Sequence, residues 1–161
     1  MADLNTIRTD TFLTTFHFNV TFIGLNYPKG LMTPLVIPFA EVSGISAELQ
    51  TEDVTEGGSN LTYRLPKPSK PKNLVLKRAL ATTPSPITRW AEAAINNLEF
   101  HPCTVLVSIL NSMHMPVANW VFTNAYPIKL ELSGLNASKG ELVIQTLELA
   151  YLQLKRLTVP L

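Results

Sequence analysis

Along most of this chain polar and apolar residues alternate, and the period of the alternation is two. Phe16, Phe18, Val20 and Phe22 interleave with His17, Asn19, Thr21 and Ile23, an aromatic and β-branched run that predicts a strand. Gly24, Pro28, Gly30, Pro34 and Pro38 break the pattern, so residues 24–38 read as a loop with room for a short extended piece at 35–37. Extension resumes at Phe39, where Ile45, Ala47 and Leu49 predict a dry face and Ser46, Glu48, Gln50 and Glu52 a wet one. Gly57, Gly58, Ser59 and Asn60 make a flexible turn, after which Leu61, Tyr63 and Leu65 restart the alternation, so residues 48–72 read as one long hairpin. Pro66, Pro68 and Pro71 keep its return limb extended and lead into an apolar strand over 73–80.

One segment changes period. Ser85 is suited to cap a helix and Pro86 to stand at its first position, where a missing N–H does no harm. Ile87, Trp90, Ala91, Ala94, Ile95 and Leu98 follow at helical spacing and predict a single apolar stripe fastened to a sheet by Ile87, Trp90, Ile95 and Leu98. Arg89, Glu92, Asn96 and Asn97 face water on this reading. Strand patterns return at 103–110, 117–123 and 128–132. The last run, 142–154, also fits a helix by its leucines, but its β-branched start and the regular strand spacing favour a strand. Residues 1–11 read as an N-terminal arm and 155–161 as a tail. The fold class is mainly β with one α-helix, a single antiparallel barrel or sandwich domain with no repeat and no linker.

Composition narrows the partners. The 161 residues carry 46% hydrophobic and 16% charged side chains and a net charge of +1, enough for a core and too little for global attraction to nucleic acid or an anionic membrane. The distribution of charge is uneven. Glu48, Glu52, Asp53 and Glu56 form an acidic block, followed by a basic block of Arg64, Lys67, Lys70, Lys72, Lys77 and Arg78. Opposite blocks can pair within one molecule or head to tail between copies, which closes a ring or grows a filament. Glu48, Glu52, Asp53, Glu56, Arg64, Lys67, Lys70 and Lys72 are therefore candidate inter-subunit contacts, and Ser46, Glu48, Gln50 and Glu52 candidate lumen-facing residues.

Chemistry is not signalled. His17, His101 and His114 are scattered without metal-ligand spacing, and no nucleophile elbow, dinucleotide fingerprint, phosphate loop or HExxH occurs. We expect no catalytic residue, no metal and no cofactor. Glu48 and Glu52, four residues apart on an extended strand, stand roughly 13 Å from each other, too far for paired acid and base work. Cys103 opens an alternating apolar run and reads as a small buried hydrophobe in a reducing compartment. The first residues lack a basic and apolar export signal, and no run of about 18 apolar residues could span a membrane. Phe16, Phe18, Phe22 and Trp120 keep open a second class, a monomeric barrel holding a small apolar ligand.

Four ordered blocks carry a resemblance: FHFNV, then PFAEVSGISAELQTEDVTEGG, then LPKPSKPKNLVLKRAL, and finally W-VF-NAYPIKLELSGLNA with VIQTLELAYLQL. Over about residues 16–152 the chain resembles the tail-tube family of contractile phages and extracellular contractile injection systems. The resemblance implies a tail-tube fold with one packed helix, in hexameric rings that stack into a hollow tube inside a contractile sheath. Partners implied are further copies, sheath and baseplate or spike proteins, and a cargo of protein effector or DNA, with no membrane binding by the isolated subunit. Assembly in the bacterial cytoplasm and later membership of a virion tail or released particle are implied with it. The long loop 24–38, Gln145 and Tyr151 in place of an acid and a shorter polar residue, and the tail 155–161 depart from the pattern. They leave an adaptor ring joining tube to baseplate as the alternative station.

Overall fold

A computed structural model describes residues 17–68 and 70–158. The expected arm 1–11, Phe16 and the end of the expected tail lie outside the described residues. The first alternating run is β1 (His17–Ile23), and the short extended piece in the loop after it is β2 (Leu35–Ile37). Next come β3 (Glu41–Ser43), the hairpin strands β4 (Gln50–Thr55) and β5 (Thr62–Lys67), and β6 (Leu74–Ala79). The helix α1 (Pro86–Asn97) precedes β7 (Cys103–Leu110), β8 (Pro116–Leu132), β9 (Ile144–Ala150) and β10 (Gln153–Leu157).

Every described strand pair is antiparallel. The order β2-β1-β7-β8-β9-β6-β3 wraps into a barrel-like path whose two ends, β2 and β3, are joined through residues 38–40. Strand β8 is the hinge of the design. Its first part pairs with β7 on one side and β10 on the other, and its second part pairs with β9. One face of the barrel is thus β2-β1-β7-β8-β10, and the other is β8-β9-β6-β3. The sequence pattern predicts two strands here, at 117–123 and 128–132. Asn124 at φ 50 and an irregularity between Pro127 and Lys129 bend the segment without ending it, so both runs belong to one strand.

Inward residues are those the alternation selects: Val20 and Phe22 from β1, Leu74 and Leu76 from β6, Val105 and Val107 from β7, Phe122 from β8, Leu147 and Leu149 from β9. The helix closes the core. Ser85 Oγ accepts the Thr88 N–H at its N-terminus, and Trp90 meets Phe22 edge-on, with ring centres 6.0 Å apart. The expected stripe needs correction. Ile95 is 39% exposed and Leu98 73% exposed, whereas Ile87, Thr88, Trp90, Ala91, Ala93 and Ala94 are buried. Leu98 takes the left-handed cap conformation at φ 56, which turns its side chain away from the helix axis and out of the stripe.

Two further expectations fail locally. The alternation over 45–52 is absent because β3 stops at Ser43: Gly44 has φ +87, and a Cβ there would stand 2.0 Å from the Asn73 carbonyl oxygen. No side chain fits that approach. Gly44→Ala should therefore cost several kcal/mol or prevent folding, read as a lost or much lowered midpoint in chemical denaturation. Downstream, Leu49 on the expected dry face is 70% exposed, and Ser46 on the expected wet face is half-buried with its Oγ out of contact with water. The second failure is the tail, which begins as strand: β10 continues past Lys155 to Leu157, paired to Asn119–Thr123 of β8.

Cys103 is buried in the core cluster, and burial pushes its thiol up to about 12 from an ordinary value near 9.0. The folded state therefore keeps the proton that the unfolded chain loses. Stability from this site is whole below about pH 9 and declines between about 9 and about 12, by about 1.4 kcal/mol per unit at most. At pH 8 the native protein should resist thiol alkylation until denaturant is added.

Candidate assembly surfaces

The hairpin β4–β5 projects as an arm. All twelve of its strand residues are exposed, and it pairs in the register Asp53 with Arg64, Glu52 with Leu65 and Gln50 with Lys67. Side-chain alternation puts Glu52, Val54, Tyr63, Leu65 and Lys67 on one face, and Thr51, Asp53, Thr55, Thr62, Arg64 and Pro66 on the other. Its acidic rise and basic descent meet within the chain. Arg64 Nε lies 3.4 Å from Asp53 Oδ1, Lys67 Nζ 3.7 Å from Glu52 Oε2 and Lys72 Nζ 3.4 Å from Glu48 Oε2. Such exposed pairs are worth less than about 1 kcal/mol each and stay open to other partners. Among the described residues, Glu56 and Lys70 form no ion pair. A two-stranded hairpin is marginal alone, and Val54, Tyr63 and Leu65 lie open to solvent on one face.

A second surface is the outward face of β8-β9-β6-β3, which sequence reasoning placed elsewhere. Glu41 and Lys77 pair across β3 and β6 at 3.1 Å, and Lys129 and Glu131 pair along β8 at 2.7 Å. Glu148 on β9 stands opposite Lys129 and accepts a hydrogen bond from Asn73 Nδ2 at 3.5 Å. The hydrogen bond and charge of Glu131 raise the Lys129 pKa, and Lys129 lowers that of Glu131 in turn. This is the polar wall of the barrel. Glu48, Gln50 and Glu52, expected to form it, belong to the arm or its approach instead, and Ser46 turns inward. The alternation of Lys129 and Glu131 with Ile128, Leu130 and Leu132 is the sequence signal for the outward charges of β8.

The same sheet has two open margins among the described residues. One is β3, paired only with β6; the other is residues 126–132 of β8, because pairing with β7 ends at Ala125. Unpaired N–H and C=O groups along such margins invite a strand from another chain.

Arg78, from the basic block, points inward rather than to a partner. Its guanidinium donates to Gln145 Oε1 and Thr88 Oγ1, both at 3.1 Å, and to Ser85 Oγ, tying β6 and β9 to the start of α1. Partial burial lowers its pKa, and only neutral acceptors bind it. Gln145 thus fills the place where the resemblance expects an acid, and keeps the contact without the charge.

Of the aromatics considered for a ligand, Phe22 is packed in the core, while Phe18 and Trp120 line an open recess of about 430 Å³ with Val42, Ile45 and Ile109. Two of the three histidines meet in space: the rings of His17 and His114 are 4.8 Å apart, while His101 stacks on Tyr27 at 5.5 Å. Among the described residues no group of three metal-ligating side chains gathers, and no helix is long and apolar enough to cross a membrane.

The described residues thus form an antiparallel barrel with one packed helix, a projecting arm and a sheet left open at both sides. The family described as T4-like virus tail tube protein gp19 matches residues 14–155, and the chain belongs to it. It is thus a structural protein of the tail-tube type and not an enzyme. No curated protein matches the chain. Among solved structures, a chain of the anti-feeding prophage (AFP) baseplate is 28% identical, with a TM-score of 0.82 over 94% of this chain and 99% of that one. A chain of the AFP tube-terminating cap is 20% identical, with a TM-score of 0.79 over 99% and 100%. A chain of the sheath-tube complex of the extracellular contractile injection system PVC is 18% identical, with a TM-score of 0.76 over 94% and 95%. The last two likenesses establish the fold.

Proposed function

We propose that the chain is a ring-forming subunit of the inner tube of a contractile phage tail or extracellular contractile injection system. The observation that carries this is the four-stranded wall β8-β9-β6-β3, polar on its outer face and unpaired at both margins. Head-to-tail joining of β3 on one copy to residues 126–132 on the next satisfies those backbone groups and closes a ring. Six copies make a hollow cylinder whose lumen is lined by Glu41, Lys77, Lys129, Glu131 and Glu148. The paired charges leave this wall nearly neutral, a surface over which a protein effector or DNA slides without strong adhesion. Stacked rings use the arm: Glu48, Glu52, Asp53 and Glu56, with Arg64, Lys67, Lys70 and Lys72, meet the opposite charges of a neighbouring ring. The tube assembles in the bacterial cytoplasm with sheath and baseplate or spike proteins around it, and leaves as part of the particle.

A second reading is an adaptor ring between tube and baseplate, favoured by the likeness to a chain in a baseplate. Negative-stain microscopy of the purified protein at rising concentration separates the two. Long tubes are expected; discrete rings would favour the adaptor, and a monomer by light scattering throughout would overturn both.

A further inference from the structure

The turn between β7 and β8 brings together two histidines that stand far apart in sequence. Their ring centres are 4.8 Å apart with the planes tilted by 53°. Both sit on firm backbone. His17 is the first residue of β1, paired with Leu110 of β7. His114 lies in a turn whose Asn111 side-chain oxygen accepts the N–H groups of Met113 and Met115, each at 2.9 Å. The backbone adds a His114 N–H to Asn111 oxygen bond at 3.0 Å and an Asn111 N–H to Met115 oxygen bond at 2.9 Å. A turn tied at four points holds its imidazole near one place, and His114 at φ 59 is aimed by that geometry.

We propose that His17 and His114 form a two-imidazole site for a late first-row divalent cation, copper or nickel ahead of zinc. With metal–nitrogen bonds of about 2.0–2.1 Å, a ring centre lies about 3.2 Å from a metal it binds. Two centres 4.8 Å apart then subtend about 97° at the metal, between the square-planar angle of about 90° and the tetrahedral angle of about 109°. Rotation about the Cβ–Cγ bonds, a soft torsion for histidine, turns the nitrogens toward each other without moving the backbone. The recess beside the rings is lined by Phe18, Asn19, Phe39, Ala40 and Leu110, so among the described residues no carboxylate lines it to favour calcium or magnesium. Imidazole nitrogens select copper, nickel and zinc, and the order of intrinsic affinity places copper first. Water completes the coordination, because two protein ligands leave positions free.

The test uses the full chain without a histidine tag. Copper(II), nickel(II) and zinc(II) are titrated separately by calorimetry at pH 7.5 and at pH 5.5, with copper also read by electron paramagnetic resonance. One ion per chain at pH 7.5 is expected, with two nitrogens in the copper spectrum and weaker binding at pH 5.5, since only neutral imidazole is a ligand. Loss of an outer-shell partner alone weakens metal sites 10–100-fold, so His17→Ala or His114→Asn should each weaken binding at least about tenfold. Asparagine tolerates the left-handed backbone at 114, which keeps the turn intact. His101→Gln is the control and should bind as the unsubstituted chain does. Equal binding by the His17 and His114 variants, or a copper spectrum with one nitrogen, would overturn the site, as would no binding below millimolar metal.

Discussion

Reversing Lys67, Lys70 and Lys72 together to Glu is expected to leave a folded protomer that no longer grows into tubes. Lys67 and Lys72 each hold an acid of their own chain, at 3.7 and 3.4 Å, on an arm whose strand residues are all exposed. Breaking two such pairs removes less than about 1 kcal/mol apiece. The core lies elsewhere, in Val20, Phe22, Leu74, Leu76, Trp90 and Phe122, and none of it touches the substitution. Assembly is a different matter. Each arm would carry Glu48, Glu52, Asp53 and Glu56 together with three new carboxylates, and every copy would present the same surplus to its neighbours. Like charges facing each other across an interface cost several kcal/mol, repeated around each ring. The expected result is an unchanged circular-dichroism melt with no tubes by microscopy or sedimentation. Wild-type tube growth should weaken with salt, because arm charges in solvent are screened within about 8–10 Å at physiological ionic strength. Ordinary tubes from the triple variant would remove the charge-pairing role of the arm while leaving the open sheet margins untouched.

The intrachain pairs explain how such an arm survives before assembly. Each strand of the hairpin carries one sign of charge, so the correct register brings Asp53 opposite Arg64 and Glu52 diagonal to Lys67. A slip of one residue would lose both contacts and put Val54 on the opposite face from Tyr63 and Leu65. The charge blocks thus set the shape of a hairpin that has no core of its own, and then remain available to a neighbour. On the proposed function, one sequence pattern serves folding first and docking second.

That pattern was also the most legible part of the chain. Strands β1, β6 and β7 lie within a few residues of where alternation puts them, because each has one face on a dry core. The helix start was readable from Ser85 and Pro86 for a local reason, since a cap acts within its own turn. Failures came where distant chain intervenes. Gly44 ends β3 because the Asn73 carbonyl approaches it from β6's entry, and nothing near residue 44 in sequence announces that contact. Ile95 and Leu98 have the right spacing for burial, but Ile95 is 39% exposed in the last turn and Leu98 is the left-handed cap beyond the helix end at Asn97. The charged outer face of β8-β9-β6-β3 is not legible for the same reason: Glu41, Lys77, Lys129 and Glu148 come from four strands, and only the sheet order gathers them. His17 and His114 likewise meet only after β1 pairs with β7.

Trp90→Ala should produce the largest loss of stability among single side-chain truncations. Trp90 is fully buried, its ring stands edge-on to Phe22 at 6.0 Å, and its indole N–H donates to the His101 carbonyl at 2.9 Å. One residue therefore joins α1 to β1 in the core and to the segment that leads into β7. Truncation removes the aromatic contact and leaves a cavity, which costs about 3–5 kcal/mol for a tryptophan. It also strips the His101 carbonyl of its donor, a further cost of about 1 kcal/mol if water does not reach it. Against a total of about 5–15 kcal/mol for a single domain, that is about a quarter or more of the whole. A loss of this size lowers the melting midpoint by roughly 8–24 °C for a chain of this length. The measurement belongs on unassembled protein, since ring formation would stabilise the folded state by mass action and mask the effect. Trp90→Phe keeps a ring against Phe22 and forfeits the hydrogen bond, so its loss should be clearly smaller than that of the alanine variant. Equal losses would assign the effect to the N–H rather than to packing, and a loss below about 1 kcal/mol for alanine would mean that the helix is held to the barrel by Ile87 and its alanines instead.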